Sequence, residues 1–431
     1  MAKVITGEAN HYVSTSQELQ SALTEAQNNG LDDVIHIAQG TYLGSFTYLS
    51  AESYGLSILG GYSSDFSTRD VDATNTVLDA NHLGRVLNLQ ATDGIESYES
   101  NNVPVISNLS IDAITLSNGR VSDSGAGVNV HTDGTVSITN NRLIENHSSL
   151  GANYPEGWGG GIYVEDAQDV SIADNFISGN SGTYGGAIST QGVDGNFTIT
   201  GNVIANNENS GSAGVKGAGV YLDMSEHTGH AIIVNNTITG NYSENASGGA
   251  GVYVRIAGEA TIENNVIWGN TGGIFDNGEN GGVSNNNLFI SHTNTVNINN
   301  NYLGDYLVNG VDSTTTNITN NTESALSPEF INSNYGDYRL SSDSPLINQG
   351  VATDNVGSTD LDGNTRTVGS AIDIGAYEYQ SVVTPTTTTY SIITGTAGND
   401  TLTILTDTSS VQAGAGTDTA VFSGNYADYT F

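Results

Sequence analysis

The sequence predicts an all-β fold, a parallel β-helix or solenoid, closed at its N-terminus by a helix and followed by a short C-terminal segment of β-roll character. Three observations predict it. Between about residues 100 and 325 the chain repeats a strand that ends in Asn, a second strand with glycine before it precedes each repeat, and 54 of 431 residues are Gly while only 13% are charged. A repeat of this length marks a stacked architecture. The composition is unlike a helical bundle and unlike a charge-rich disordered chain.

The first element is a helix. Residues 14 to 30, STSQELQSALTEAQNNG, place Leu19, Leu23 and Ala26 on one face, and Asn29 with Gly30 stops the run. A solenoid exposes apolar strands and pairing edges at its ends, so residues 1–33 read as a cap. The exposed helix residues are not basic, which argues against a membrane surface. Val34, Ile35 and Ile37 then open the first coil, and residues 34–327 form the β-helix.

The repeats are VSITNNRLIEN, VSIADNFISGN, FTITGNVIANN, IIVNNTITGN and ATIENNVIWGN. Their first Asn falls at Asn141, Asn175, Asn202, Asn236 and Asn265, at intervals of 34, 27, 34 and 29, and their second at Asn146, Asn180, Asn207, Asn241 and Asn270. A constant core with variable intervals means variable loops. Coils stack about 4.8 Å apart, so a recurring Asn is placed to bond the Asn above and below it in an amide ladder. The preceding strands read GAGVNVH, GGGIYVE, GGAISTQ, GAGVYLD and GAGVYVR. Alternation sends Val128, Ile162, Ile188, Val220 and Val252 to the core with Val130, Val164, Thr190, Leu222 and Val254.

Charge and composition narrow the function. Nine Lys+Arg against 46 Asp+Glu give a net charge of −37, which disfavours nucleic acid and anionic membranes as partners. Cys is absent, removing disulfides and thiolate chemistry. The start, MAKVITGEANHYVS, has no apolar stretch of a secretory signal, and no segment is apolar enough to span a membrane.

Two segments carry a resemblance. DDVIHIAQGTYLGSFTY, LSILGGYSSDFSTRD and NTVLDA look like the opening coils of bacterial right-handed parallel β-helix proteins. Residues 328–380, with PEFINSNYGDYRLSSDSPLINQG and DLDGNTRTVGSAIDIGAYEY, are similar to the closing segment of extracellular proteins with a choice-of-anchor Q domain. The resemblance implies a right-handed solenoid, closing coils over 328–380, a surface location, and a structural role for Asp337, Tyr338, Arg339, Leu340, Asp373, Gly375 and Glu378. After a Thr/Pro linker at 381–393, GTAGNDTLT at Gly395 to Thr403 resembles the calcium-binding nonapeptide of RTX proteins, and AGAGTDTAV is an imperfect copy 18 residues on. In a β-roll this spacing stacks the copies, and Asp400 and Asp418 with glycine-turn carbonyls would hold one calcium ion within residues 394–431. RTX proteins leave the cell in one step without a cleaved N-terminal signal, so the resemblance implies an extracellular or cell-surface bacterial protein.

The candidate binding site is the outward side of the glycine-led strands. The alternation that buries Val220 and Leu222 exposes Tyr221 and Asp223, and the same register sets Tyr163, Glu165, Tyr253 and Arg255 on that face, with Asn129, His131, Ser189 and Gln191 between. Aromatic faces beside carboxylates suit sugar rings. In a catalytic reading Arg255 stabilises an oxyanion, Tyr221 or His131 moves a proton, or Glu165 and Asp223 act as a pair about 9.6 Å apart across two coils. In a structural reading the face is a solvated sheet. No pectate-lyase vWiDH, polygalacturonase NTD or RIK, or epimerase DPH motif is present, and nine cations disfavour polyanionic substrates. Asp223, Glu226, His227 and His230 read as a loop rather than a metal site. The loop from His147 to Trp158, with Tyr154, Pro155 and Trp158, reads as a packed Pro/Gly-rich insertion, and the alternative reading makes it a specificity element over the face. The leading expectation is a secreted structural or adhesive protein that binds an extracellular glycan or cell-surface component or itself. The alternative is a polysaccharide lyase or glycoside hydrolase.

Overall fold

The computed structural model describes residues 7–92, 105–148, 157–209, 215–246, 249–274, 287–292, 294–309, 316–323, 326–380, 391–404 and 408–422. Tyr154, Pro155, most of the linker and the terminal residues 423–431 lie outside the described residues. The chain divides into two compact units, 1–379 and 380–431.

One coil shows the plan of the first unit. Ile162–Glu165, Asp169–Ala173, Phe176–Ser178 and Ser181–Gly182 are successive strands, and Ile188–Gln191 opens the next coil directly on Ile162–Glu165. Equivalent strands pair in parallel into stacks of eleven, ten, six and nine strands among the described residues. A parallel partner requires a long crossover, and here the crossover is the rest of the coil. The inward rows are the expected ones: Ile162, Val164, Ile188, Val220, Leu222, Val252 and Val254 are fully buried, as are Ile172, Ile199 and Ile233 on the eleven-strand sheet. The architecture is an all-β right-handed parallel β-helix.

Its corners pair a left-handed residue with an inward asparagine. The residue before each ladder Asn is left-handed, as at Asn140 (φ 55°), Asp174 (54°), Gly201 (69°), Asn235 (54°) and Asn264 (55°), a conformation that most L-residues resist. The following Asn turns inward. Asn175 Nδ2 donates to Asn202 Oδ1 (2.9 Å), Asn202 Nδ2 to Asn236 Oδ1 (3.0 Å) and Asn236 Nδ2 to Asn265 Oδ1 (2.9 Å). Each of these oxygens also accepts the backbone N–H of the Asn before it, at 2.9 to 3.0 Å. The second ladder runs from Asn146 through Asn180, Asn207, Asn241 and Asn270 to Asn287, where Asp305 accepts the last amide. A carboxylate there suits the pattern, because Asn287 arrives with its N–H and Nδ2–H both donating. The glycine corner has its own cause: Gly159, Gly185 and Gly217 have φ of 59°, 64° and 58°, and a Cβ there would lie 2.0 to 2.2 Å from a carbonyl oxygen of Ile162, Ile188 or Val220.

The cap helix α1 (Ser16–Ala26) buries Leu19, Ala22, Leu23 and Ala26 against the first coil. It is shorter than residues 14 to 30. Thr15 Oγ1 accepts the Glu18 N–H (3.2 Å) and the Glu18 carboxylate accepts the Ser14 N–H (2.8 Å), which fixes the start at a cap. At the other end Asn29 turns its side chain to Asp33 (2.8 Å) and to the Leu31 N–H (2.9 Å).

The closing coils expected for residues 328–380 are not formed. The segment makes one antiparallel pair, Phe330–Asn332 with Asp337–Leu340, and lies along the flank of the ten-strand sheet. Outward residues of that sheet are apolar, so Phe176, Val203, Ala205, Val266, Trp268 and Tyr302 need cover, and Tyr338, Leu340, Leu346, Ile374, Ala376 and Tyr377 supply it. The corner residues fasten it: Asn206 Nδ2 donates to Tyr338 Oη (2.8 Å) and Asn264 Nδ2 to the Val351 carbonyl (2.8 Å). Gly375 is held close, because a Cβ there would lie 2.9 Å from Thr237 Oγ1 and from Val266 Cγ2. Asp373 and Glu378 accept the backbone N–H groups of Asn348, Tyr379, Val368 and Asp373, and Arg339 pairs with Asp337 at 2.7 Å.

The second unit consists of two parallel strand pairs. Ser391–Thr394 pairs with Thr408–Gln412, and Thr401–Ile404 with Thr419–Phe422 in a register of 18 residues. This stacks the two glycine turns.

Candidate binding face

The nine-strand sheet turns two rows outward, one nearer the glycine corner with Asn129, Tyr163, Ser189, Tyr221, Tyr253 and Phe289, the other with His131, Glu165, Gln191, Asp223 and Arg255. The six expected residues therefore share one face, and Gln191 separates Glu165 from Asp223 by one intervening coil. The expected exposure of the tyrosines is corrected: Tyr163, Tyr221 and Tyr253 are 6%, 5% and 5% exposed. They point away from the core into a second apolar layer. Tyr221 stacks on Tyr253 with ring centroids 5.3 Å apart, and Tyr253 on Phe289 at 5.0 Å, the planes within 8° and 2°. Coil spacing alone brings such rings into stacking range.

A ridge covers them. Trp158, Tyr184 and Lys216 pair in parallel from coil to coil. Trp158 packs edge-on against Tyr221 at 5.5 Å, Tyr184 lies 5.4 Å from the same ring, and the Lys216 ammonium sits 4.7 Å above Tyr253. The sequence reading places Trp158 in a loop beside this face but not Tyr184 or Lys216, although each directly precedes the left-handed glycine of its coil.

The second row is bound up in pairs. Asp223 Oδ2 accepts from Tyr221 Oη (3.2 Å) and Arg255 Nη1 (3.3 Å), while its Oδ1 accepts from Ser225 Oγ (2.7 Å). Burial, followed by the neighbouring Asp223 carboxylate, pushes the Tyr221 hydroxyl far above its ordinary value, so at neutral pH it keeps its proton. His131 Nε2 lies 3.1 Å from Asp166 Oδ2, with Glu165 3.8 Å from the other ring nitrogen. The hydrogen bond to Asp166 raises the imidazole pKa above its usual value against the effect of burial. The carboxylate and histidines after Asp223 do not converge: His227 takes Asp194 (2.6 Å) and His230 takes Thr261 Oγ1 (3.0 Å).

In the second unit Asp400 Oδ2 accepts the Thr396 N–H (2.7 Å) and Asp418 Oδ1 accepts the Asp400 N–H (2.9 Å). The set on offer is two carboxylates and glycine-turn carbonyls, all hard oxygen donors of the kind calcium takes, and each carboxylate keeps lone pairs beyond these bonds.

A family described as right handed beta helix region matches residues 51–243. That match and the parallel stacks agree on a β-helix protein. Comparison with curated proteins and with solved structures gave no match. Among the described residues no helix is long and apolar enough to cross a membrane.

Proposed function

We propose that this β-helix is an extracellular or cell-surface structural or adhesive protein, presenting its outer sheet faces to a glycan, to a cell-surface component or to other copies of itself, with a calcium-dependent C-terminal unit. One observation carries the reading. On the candidate face Arg255 and Tyr221 are hydrogen-bonded to Asp223 and His131 to Asp166, so most of the groups a catalytic role would use already have partners on the sheet. A sheet face whose side chains are already ordered by such pairs presents a preformed contact surface. The RTX-like repeats and the acidic, Cys-free chain support export and folding outside the cell, where calcium is plentiful.

The test is a screen of neutral and acidic polysaccharides that reads binding and product release together, with wild type and Arg255→Ala. Retention without product release is expected, in wild type and in Arg255→Ala alike, whatever the variant does to the strength of retention. Cleavage by wild type that falls roughly a hundredfold in Arg255→Ala, as when a charge-stabilising donor is removed, would replace this reading with a polysaccharide-active enzyme.

A further inference from the structure

We propose that the first coils carry a separate binding cleft for a saccharide bearing a single carboxylate. An open cleft of about 480 Å3 lies where the N-terminal strands of the nine-strand sheet meet the six-strand sheet, and its polar lining is Ser45, Thr47, Arg85, Asn88, Arg120, Ser122 and Asp123. Two of the seven arginines of a chain with net charge −37 meet here. The other five are occupied. Arg69 pairs with Asp112, Arg255 with Asp223 and Arg339 with Asp337, Arg142 lies over the Phe176 ring, and Arg366 is buried on the carbonyls of Gly375 and Ala376.

Within the cleft the arginines differ. Arg85 is fixed, donating to the carbonyls of Gly125 (2.9 Å) and Ser124 (2.7 Å) and neutralised by Asp123 (2.7 Å). Arg120 is anchored through its backbone, whose N–H donates to Gly84 O (2.8 Å), while its exposed guanidinium takes part in no ion pair among the described residues. Among the described residues the cleft therefore holds one uncompensated positive charge, presented as a planar fork that matches a carboxylate with two parallel hydrogen bonds. Around it are groups that answer hydroxyls. Asn88 Oδ1 accepts from Asn129 (2.9 Å) and Arg85 (3.4 Å), which leaves the Asn88 Nδ2 to donate, and Ser45, Thr47 and Ser122 both donate and accept. Val121 is the sole apolar side chain in the lining, so an apolar ligand has little to bury. One carboxylate on a polyhydroxylated ring satisfies this set. A polyanion, by contrast, must run along the acidic remainder.

The experiment titrates the full chain by calorimetry with glucuronate and galacturonate, with glucose and galactose as neutral counterparts, and with acetate and inorganic sulfate as bare anions. At least one uronate is expected to bind at least tenfold more tightly than its neutral counterpart and than either bare anion, and more weakly as salt is raised. Arg120→Gln should bring the uronate to the level of the neutral sugar with an unchanged thermal midpoint, and Arg120→Lys, which keeps the charge and loses the fork, should fall between. Equal affinity for acid and neutral sugar, undiminished binding in Arg120→Gln, bare anions as tight as the uronates, or no uronate binding at tens of millimolar would each overturn the proposal. None of these outcomes depends on whether the protein is adhesive.

Discussion

Asn202 shows how much one side chain does in a stacked fold. Its Oδ1 accepts both the backbone N–H and the Nδ2 of Asn175, and its Nδ2 reaches Asn236 Oδ1, Ile172 O and Thr200 O. Asn202→Ala strands the buried Asn175 N–H, an orphan costing about 1–3 kcal/mol, and removes the bonds its Nδ2 makes, although Asn236 Oδ1 keeps the backbone N–H of residue 202. Chemical denaturation should show a loss of about 3 kcal/mol or more, whereas Asn317→Ala, which removes an exposed Asn–Asn bond to Asn297 outside the ladders, should stay within about 0.5 kcal/mol. Similar small losses at both positions would mean that the ladder is not a source of stability. His131 titrates in a readable range, and its raised pKa fixes a sign. The contribution of the Asp166 contact is fully present below the unfolded value of about 6.5 and is lost as pH rises through the higher folded value. An NMR titration should place His131 above the ordinary imidazole value and Asp166→Asn should bring it down. A midpoint that ignores Asp166 would remove that carboxylate as the cause.

At the scale of elements, the aromatic layer is held by its ridge rather than by its strands. Tyr253 lies between Tyr221 and Phe289 with Lys216 above it, so Tyr253→Ala opens a buried cavity and should cost about 3–5 kcal/mol in urea unfolding, while Tyr253→Phe should be close to neutral. A Tyr253→Ala loss under about 1 kcal/mol would fit an exposed ring instead. The inward rows were legible because strand alternation has a period of two and needs no knowledge of distant residues. The ladder Asn was legible by recurrence. The asparagine before it was not, since its task is a left-handed turn and Gly201 or Asp174 does it as well. Nor was the cover on the tyrosines, because Trp158, Tyr184 and Lys216 stand in loops of different length and differ in chemistry. The flank packing of residues 328–380 left a trace that alternation hides. Strands such as Val203–Ala205 and Val266–Trp268 are apolar at consecutive positions, the pattern of a strand covered on both faces.

Over the whole molecule the two units differ in what holds them together. The first has an apolar core running through its coils, while in the second Gly414, Ala415, Gly416, Thr417, Thr419, Ala420 and Val421 are exposed and pairing rests on short parallel strands. A two-stranded pair is marginal alone, so an added ion is the expected source of stability. Asp400 and Asp418 stand one above the other through the Asp400 N–H, and the proposed calcium ion would bridge their carboxylates and take turn carbonyls. In hydrogen exchange of the full chain, amides of residues 391–422 should gain protection at millimolar calcium, the range of extracellular modules, and lose it with chelator. Asp400→Ala and Asp418→Ala should each abolish the gain, while exchange in the coils stays the same with and without calcium. Binding should also be weaker at acid pH, since the carboxylates must be ionised to act as ligands. Protection that is unchanged by calcium in wild type, or a gain that survives both substitutions, would assign the stacked turns to folding alone.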